Sequence, residues 1–117
     1  MRSLEDARWL PFNGLRISDL PSNGESPAAY AMRDANTKEI MYIGGTSSLL
    51  KRLFGNYLGG FGGSTTQRIH SNLFDGGFIS TIEVAWLPTG EYKRKEKDLT
   101  SEYRSTHVGK LPPWNKR

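Results

Sequence analysis

Tyr42-Ile43-Gly44-Gly45-Thr46-Ser47-Ser48-Leu49-Leu50-Lys51-Arg52-Leu53 gathers residue types that could hold a phosphate. Met41-Tyr42-Ile43 reads as the end of a short apolar strand. Two glycines and a run of hydroxyl residues then open an amphipathic helix, with Thr46 or Ser47 as its N-cap. Leu49, Leu50 and Leu53 lie three or four positions apart and form its buried stripe. Gly44, Gly45 and Thr46 would offer backbone N–H groups and a positive dipole end to an anion. Arg52, beside the stripe, can meet a phosphate with two parallel hydrogen bonds, and Lys51 adds a second cation. The same residues also fit an ordinary strand-to-helix junction with a solvated arginine. Residue types alone favour the ordinary junction.

The spacing carries more. Tyr42-Ile43-Gly44, followed by Thr46, Leu49, Arg52 and Leu53, resembles the YIG-x-T-x-x-L-x-x-R-L signature of the GIY-YIG endonucleases. The family's upstream Gly-Ile-Tyr is here Ala28-Ala29-Tyr30, and residues 31 to 41 separate the two tyrosines, as in the family. The resemblance covers about residues 27 to 117. It implies a Mg²⁺-dependent (or Mn²⁺-dependent) DNA endonuclease that hydrolyses phosphodiesters by water attack. DNA is the implied partner.

Such cleavage needs a positioned water, a base, charge neutralisation and help for the leaving oxygen. By resemblance Tyr30 is the base, Tyr42 orients water or phosphate, Arg52 clamps the scissile phosphate, and Asn115 braces the site. Tyrosine titrates near ~10, so Tyr30 would need acidifying by nearby cations. Glu96-x-x-Leu99-Thr100-x-x-Tyr103 resembles the segment whose glutamate carries the family's single metal ion. Glu102 is the rival ligand, thirteen residues before Asn115. Choosing Glu96 makes Arg104 to Leu111 an insertion before Pro112-Pro113-Trp114-Asn115. Many relatives have a histidine four residues after the arginine, where this chain has Asn56. Asparagine exchanges no protons, which leaves Lys51 and His70 as candidate substitutes. Without the resemblance, the tyrosines read as sheet aromatics and Glu96 as a helix glutamate paired with Lys93 or Lys97.

The elements positioning these residues must fit one domain, since 117 residues support a single core. We divide the chain into an N-terminal arm, 1–26, and a nuclease-like domain, 27–117. No apolar run approaches a membrane span, and Met1 to Asp6 lack an apolar leader segment. Zero cysteines exclude disulfides and thiolate metal sites and suit a cytoplasmic protein. His70 and His107 form no metal-binding pair. Residues 91–117 hold eight Lys or Arg against four Asp or Glu, so this third carries the chain's whole net charge of +4. Lys93, Arg94 and Lys97 therefore mark a candidate phosphate-facing side, the alternative being a solvated helix face.

Arg8-Trp9-Leu10-Pro11-Phe12 is an apolar patch expected to pack across the domain's outer surface, or to contact a partner or DNA. Ala28–Arg33 and Glu39–Ile43 are expected strands around a turn-rich hairpin loop. Asn13-Gly14 and Asn23-Gly24 mark further turns. Gly59 to Gly63, around Phe61, is a glycine loop able to lie along DNA or close over a site. Ser64-Thr65-Thr66-Gln67 has the form of a capping box opening a second helix. Phe78–Leu87 is a third strand. A third helix runs to about Thr106, with Tyr92, Glu96, Leu99 and Tyr103 on one stripe and Gly109 as its stop. The order ββα-α-βα gives an α+β fold, a small three-stranded antiparallel sheet with helices packed on it. A non-catalytic nucleic-acid-binding module on this fold is the alternative function, as is a nicking subunit of a repair or recombination complex. No appended zinc finger or helix-turn-helix is visible, so specificity falls to the chain's own loops, an oligomer or a partner protein, or is low.

Overall fold

Ala28–Asp34 shows why the sheet carries weight on both sides. Ala28, Tyr30 and Met32 point one way and Ala29 and Ala31 the other, and all five are buried. The computed structural model describes residues 7–21 and 26–115. The Asn23-Gly24 turn, the first six residues, Lys116 and Arg117 lie outside the described residues.

The fold is α+β, with a four-stranded antiparallel sheet where the sequence predicts three strands. The strands are β1 (Leu10–Pro11), β2 (Ala28–Asp34), β3 (Ile40–Thr46) and β4 (Ile82–Pro88), in spatial order β1-β4-β2-β3. The extra strand comes from the arm. Leu10 and Pro11 pair with Val84 and Glu83, and Phe12 donates to the Ile82 carbonyl at 3.0 Å. Phe12 and Leu20 then drop into the core. An edge position suits Pro11, which has no N–H for a second neighbour. The apolar patch of the arm is thus part of the fold's hydrophobic structure.

A π-helix (Leu50–Leu58), α1 (Ser64–Phe74) and α2 (Tyr92–Thr106) complete the architecture. Leu49, Leu53, Tyr57, Ile69 and Leu73 cover one sheet face, together with Ile82, Val84 and Trp114. On the opposite face, Leu99 and Tyr103 of α2 bury Ala29, Ala31, Ile43 and Leu87.

Several boundaries differ from the sequence reading. Gly44, Gly45 and Thr46 continue β3 and open no helix. The Thr46 hydroxyl accepts from Ser48 N–H at 3.1 Å and donates to its carbonyl at 3.0 Å, which turns the chain toward the helix. The capping box does not form: Gly63 is the N-cap of α1, and Gln67 instead donates its side-chain amide to the Gly60 carbonyl. The third strand begins at Ile82, because Phe78–Ser80 make a 3₁₀ turn. Gly109 does stop α2, at φ +76°, its N–H donating to the Arg104 carbonyl at 2.8 Å.

Candidate active site at the edge strand

Two successive glycines thin the sheet at the end of β3. A Cβ on Gly44 would lie 2.7 Å from the Tyr30 hydroxyl oxygen and 2.7 Å from Tyr42 Cε2. A Cβ on Gly45, on the opposite face, would lie 2.9 Å from Glu96 Oε1. Side chains from both faces therefore close on a strand that presents none of its own there. The need for Gly-Gly is steric, from close approach, and the helix-terminus anion cradle expected from the sequence is absent because both glycines sit in the ladder.

The tyrosine side is a cluster of three. Tyr30 and Tyr42 have ring centroids 6.1 Å apart, and Tyr57 lies 6.2 and 6.4 Å from them. The Tyr30 and Tyr57 hydroxyls are hydrogen-bonded to each other, and both residues are buried. Tyr42 is half-buried.

Burial, then the charges of Tyr57 and Tyr42, push Tyr30 well above the ordinary tyrosine value, and Arg52 offsets only part of this. In the metal-free protein, desolvation of Tyr30 thus outweighs the Arg52 charge. Tyr42 and Tyr57 are raised for the same leading reason, with Arg52 lowering both.

Arg52 is the charge common to the site, acting on all three tyrosines and on Glu96. Its Nε is buried and, among the described residues, has no hydrogen-bond partner. An orphaned buried donor costs about 1–3 kcal/mol.

Glu96 sits on α2 over Gly45. Burial raises its carboxyl and Arg52 lowers it. Arg52 is the charge that acts on its carboxylate. Glu102, the rival ligand, is exposed on the same helix and is not brought to this site. No cluster of three His, Asp or Glu side chains able to hold a metal occurs among the described residues. A single half-buried carboxylate fits an octahedral Mg²⁺, which keeps several waters and needs few protein ligands.

Asn115 grips β3 from its outer edge. Its Oδ1 accepts from Ile43 N–H at 3.0 Å, and its Nδ2 donates to the Ile43 carbonyl at 2.9 Å. Trp114 N–H donates to Met41 at 2.8 Å, and Arg68 secures the Trp114 carbonyl. The Gly44-Gly45 step is thereby fixed immediately after its clamp.

The remaining expected residues fall outside this cluster. Lys51 is exposed. Lys93, Arg94 and Lys97 are exposed on α2, where Arg94 pairs with Glu91 at 3.2 Å. His70 does not reach the tyrosine hydroxyls; its Nδ1 donates to the Tyr57 carbonyl at 2.7 Å. Asn56 turns away, its amide donating to the Phe61 carbonyl.

Tyr57 is the residue that the sequence reading misses. A π-helix has more residues per turn than an α-helix, so position i+5 faces where i+4 would. Tyr57, five after Arg52, thus takes the direction assigned to Asn56. The available signal was the Leu49, Leu53, Tyr57 spacing of four, which places this tyrosine on the buried stripe. The chain matches no family model and no curated protein.

Proposed function

We propose that the chain is a Mg²⁺-dependent DNA endonuclease of GIY-YIG type, hydrolysing phosphodiesters by water attack. The observation carrying this reading is the buried Arg52 Nε, unpartnered among the described residues, whose charge acts on three tyrosines and the Glu96 carboxylate. That set of groups suits an anion better than any side chain the protein supplies.

Arg52 would bind the scissile phosphate and stabilise its developing charge. Glu96 would hold Mg²⁺ (or Mn²⁺), which supplies charge neutralisation at the phosphate when bound. Tyr42, the tyrosine least withdrawn from solvent, would orient the water. Tyr30 and Tyr57 share a hydrogen bond through which a proton taken at one oxygen can be compensated at the other. Asn115 would hold the backbone against which these groups are set.

A second reading has its own support. Burial disfavours the Tyr30 phenolate in the metal-free chain, and a nucleic-acid-binding module that does no chemistry would not need it. Incubation with supercoiled plasmid, with and without Mg²⁺, separates the two. Nicked or linear product that depends on Mg²⁺ and disappears in Glu96→Gln supports the nuclease. DNA binding with intact plasmid at every metal concentration supports the binding module. Among the described residues no helix is long and apolar enough to cross a membrane.

A further inference from the structure

We propose that the turn joining α2 to the C-terminal segment is a subsite for one unpaired nucleotide, its base stacked on His107 and its phosphate on Arg104 and Lys110. The proposal rests on the nucleic-acid reading above for its ligand class, and on a separate part of the surface for its geometry.

Residues 104–111 are the stretch that the glutamate assignment leaves as an insertion. They line two contiguous cavities. One, of about 470 Å³, is walled by Tyr103, His107, Val108 and Leu111. The other, of about 390 Å³, is bordered by Arg104, Lys110 and Asn115. Lys110 lines both. Among the described residues neither cavity is lined by a carboxylate. The apolar wall fits a base and the cationic border a phosphate.

Two exposed side chains are held still here. The His107 ring lies flat on Tyr103, with centroids 3.7 Å apart and planes 5° from parallel. Its Nδ1 donates to the Tyr103 carbonyl at 2.7 Å, which fixes the ring in its own plane. Arg104 donates Nε to the Gly109 carbonyl at 2.9 Å, which holds the guanidinium against the turn. A fixed exposed ring stacks a base with little entropy to lose, and base–aromatic stacking is sequence-tolerant.

The loop is also strained. Val108, a β-branched residue, has φ +57° and is 94% exposed. That conformation is rare for such a residue, so the surrounding contacts must hold it. Asn115 borders the second cavity and also clamps Ile43 of β3, so this cavity and the candidate active site share one bracing residue.

The test is fluorescence anisotropy of a fluorescein-labelled 12-nucleotide single-stranded DNA, titrated in EDTA so that no cleavage occurs. Wild type, His107→Lys, His107→Phe and Arg104→Gln are compared, with circular dichroism confirming each fold. His107→Lys, which presents a cation but loses the ring, is expected to weaken binding about 10-fold or more. His107→Phe keeps a stacking face and should stay within about 3-fold of wild type. Arg104→Gln should weaken binding and reduce the salt slope by about one. Equal affinities for His107→Lys and wild type overturn the proposal, as does a wild-type chain that does not bind the oligonucleotide. Plasmid cleavage is scored separately: a wild-type chain that leaves plasmid intact in Mg²⁺ yet binds the oligonucleotide through His107 overturns the nuclease reading and supports the subsite.

Discussion

The Tyr57 hydroxyl is hydrogen-bonded to that of Tyr30, from a position five residues after Arg52. The π-helical winding turns this tyrosine, and not Asn56, toward the catalytic candidates. Tyr57→Phe removes one partner from a buried hydroxyl pair. It should lower cleavage at least about 10-fold, within the range of positioned proton-transfer groups, and lower stability by about 1–3 kcal/mol. Asn56→Ala releases only the Phe61 carbonyl and should leave single-turnover cleavage within about 2-fold. Equal damage from the two substitutions would show that the register argument is wrong. Single-turnover kinetics and urea unfolding measure both.

Glu96→Gln keeps the shape over Gly45 and removes the charge that would bind metal. Plasmid cleavage is expected to fall below detection while DNA affinity in Ca²⁺ stays within about 3-fold. The same substitution has a pH signature. Burial raises the Glu96 carboxyl above its ordinary 4.5, so the folded state holds this proton more tightly than the unfolded chain. Its contribution is thus favourable below that value and is lost as pH rises from there through the folded titration. Metal-free Glu96→Gln should show a smaller fall in Tm between acid and neutral pH than wild type. An identical pH profile would mean that Glu96 ionises as freely as a surface carboxylate.

Gly44→Ala tests the thinning of the sheet. Its Cβ would overlap both the buried Tyr30 and the half-buried Tyr42, whereas Gly45→Ala meets the far end of the Glu96 side chain first. Gly44→Ala should destabilise by about 1–3 kcal/mol in urea unfolding, and more than Gly45→Ala does. The reverse order would mean that the tyrosines yield more easily than α2.

What the sequence made legible tracks how local the physics is. The hairpin around Asp34, the third helix and its Gly109 stop follow from turn chemistry and periodicity and appear as expected. Leu99 and Tyr103 are buried on the stripe they were assigned to. The fourth strand was not legible, because two residues of an arm carry no alternation; only their pairing with Val84 and Glu83 makes them a strand. The glycines were misread for a related reason. Gly-Gly before hydroxyl residues is the local pattern of a helix-opening turn, and the Cβ overlaps with Tyr30 and Glu96 come from elements far away in sequence. Tyr57 lay on the legible Leu49/Leu53 stripe, but its place five residues after Arg52 follows from the π-helical winding, which spacing alone does not reveal.

The exposed cations of α2 give a further test. Lys93→Ala, Arg94→Ala and Lys97→Ala combined should weaken DNA binding across unrelated sequences and flatten its dependence on salt by about two to three in slope. Fold stability should change little, since all three are exposed and Arg94 pairs only with exposed Glu91, an arrangement worth little. An unchanged slope would identify this face as solvated and direct attention to Lys51 and Arg104.

Arg52→Lys separates a clamp from a charge. Arginine presents a planar set of donors that matches two phosphate oxygens, whereas lysine offers a point charge on a flexible stem. The buried Nε, without a partner among the described residues, has no counterpart in lysine. If Arg52 only supplied a positive field to the tyrosines and Glu96, lysine would serve nearly as well. If it holds the phosphate in the transition state, turnover should fall about 100-fold or more, the usual consequence of losing one preorganised donor. DNA affinity in Ca²⁺ should change far less, because ground-state binding draws on many phosphate contacts. Removing an orphaned buried donor could also make the unbound protein slightly more stable, a result that thermal unfolding would register and that a merely structural arginine would not give. Near-normal single-turnover cleavage by Arg52→Lys would take Arg52 out of the active site, and with it the observation on which the nuclease reading stands.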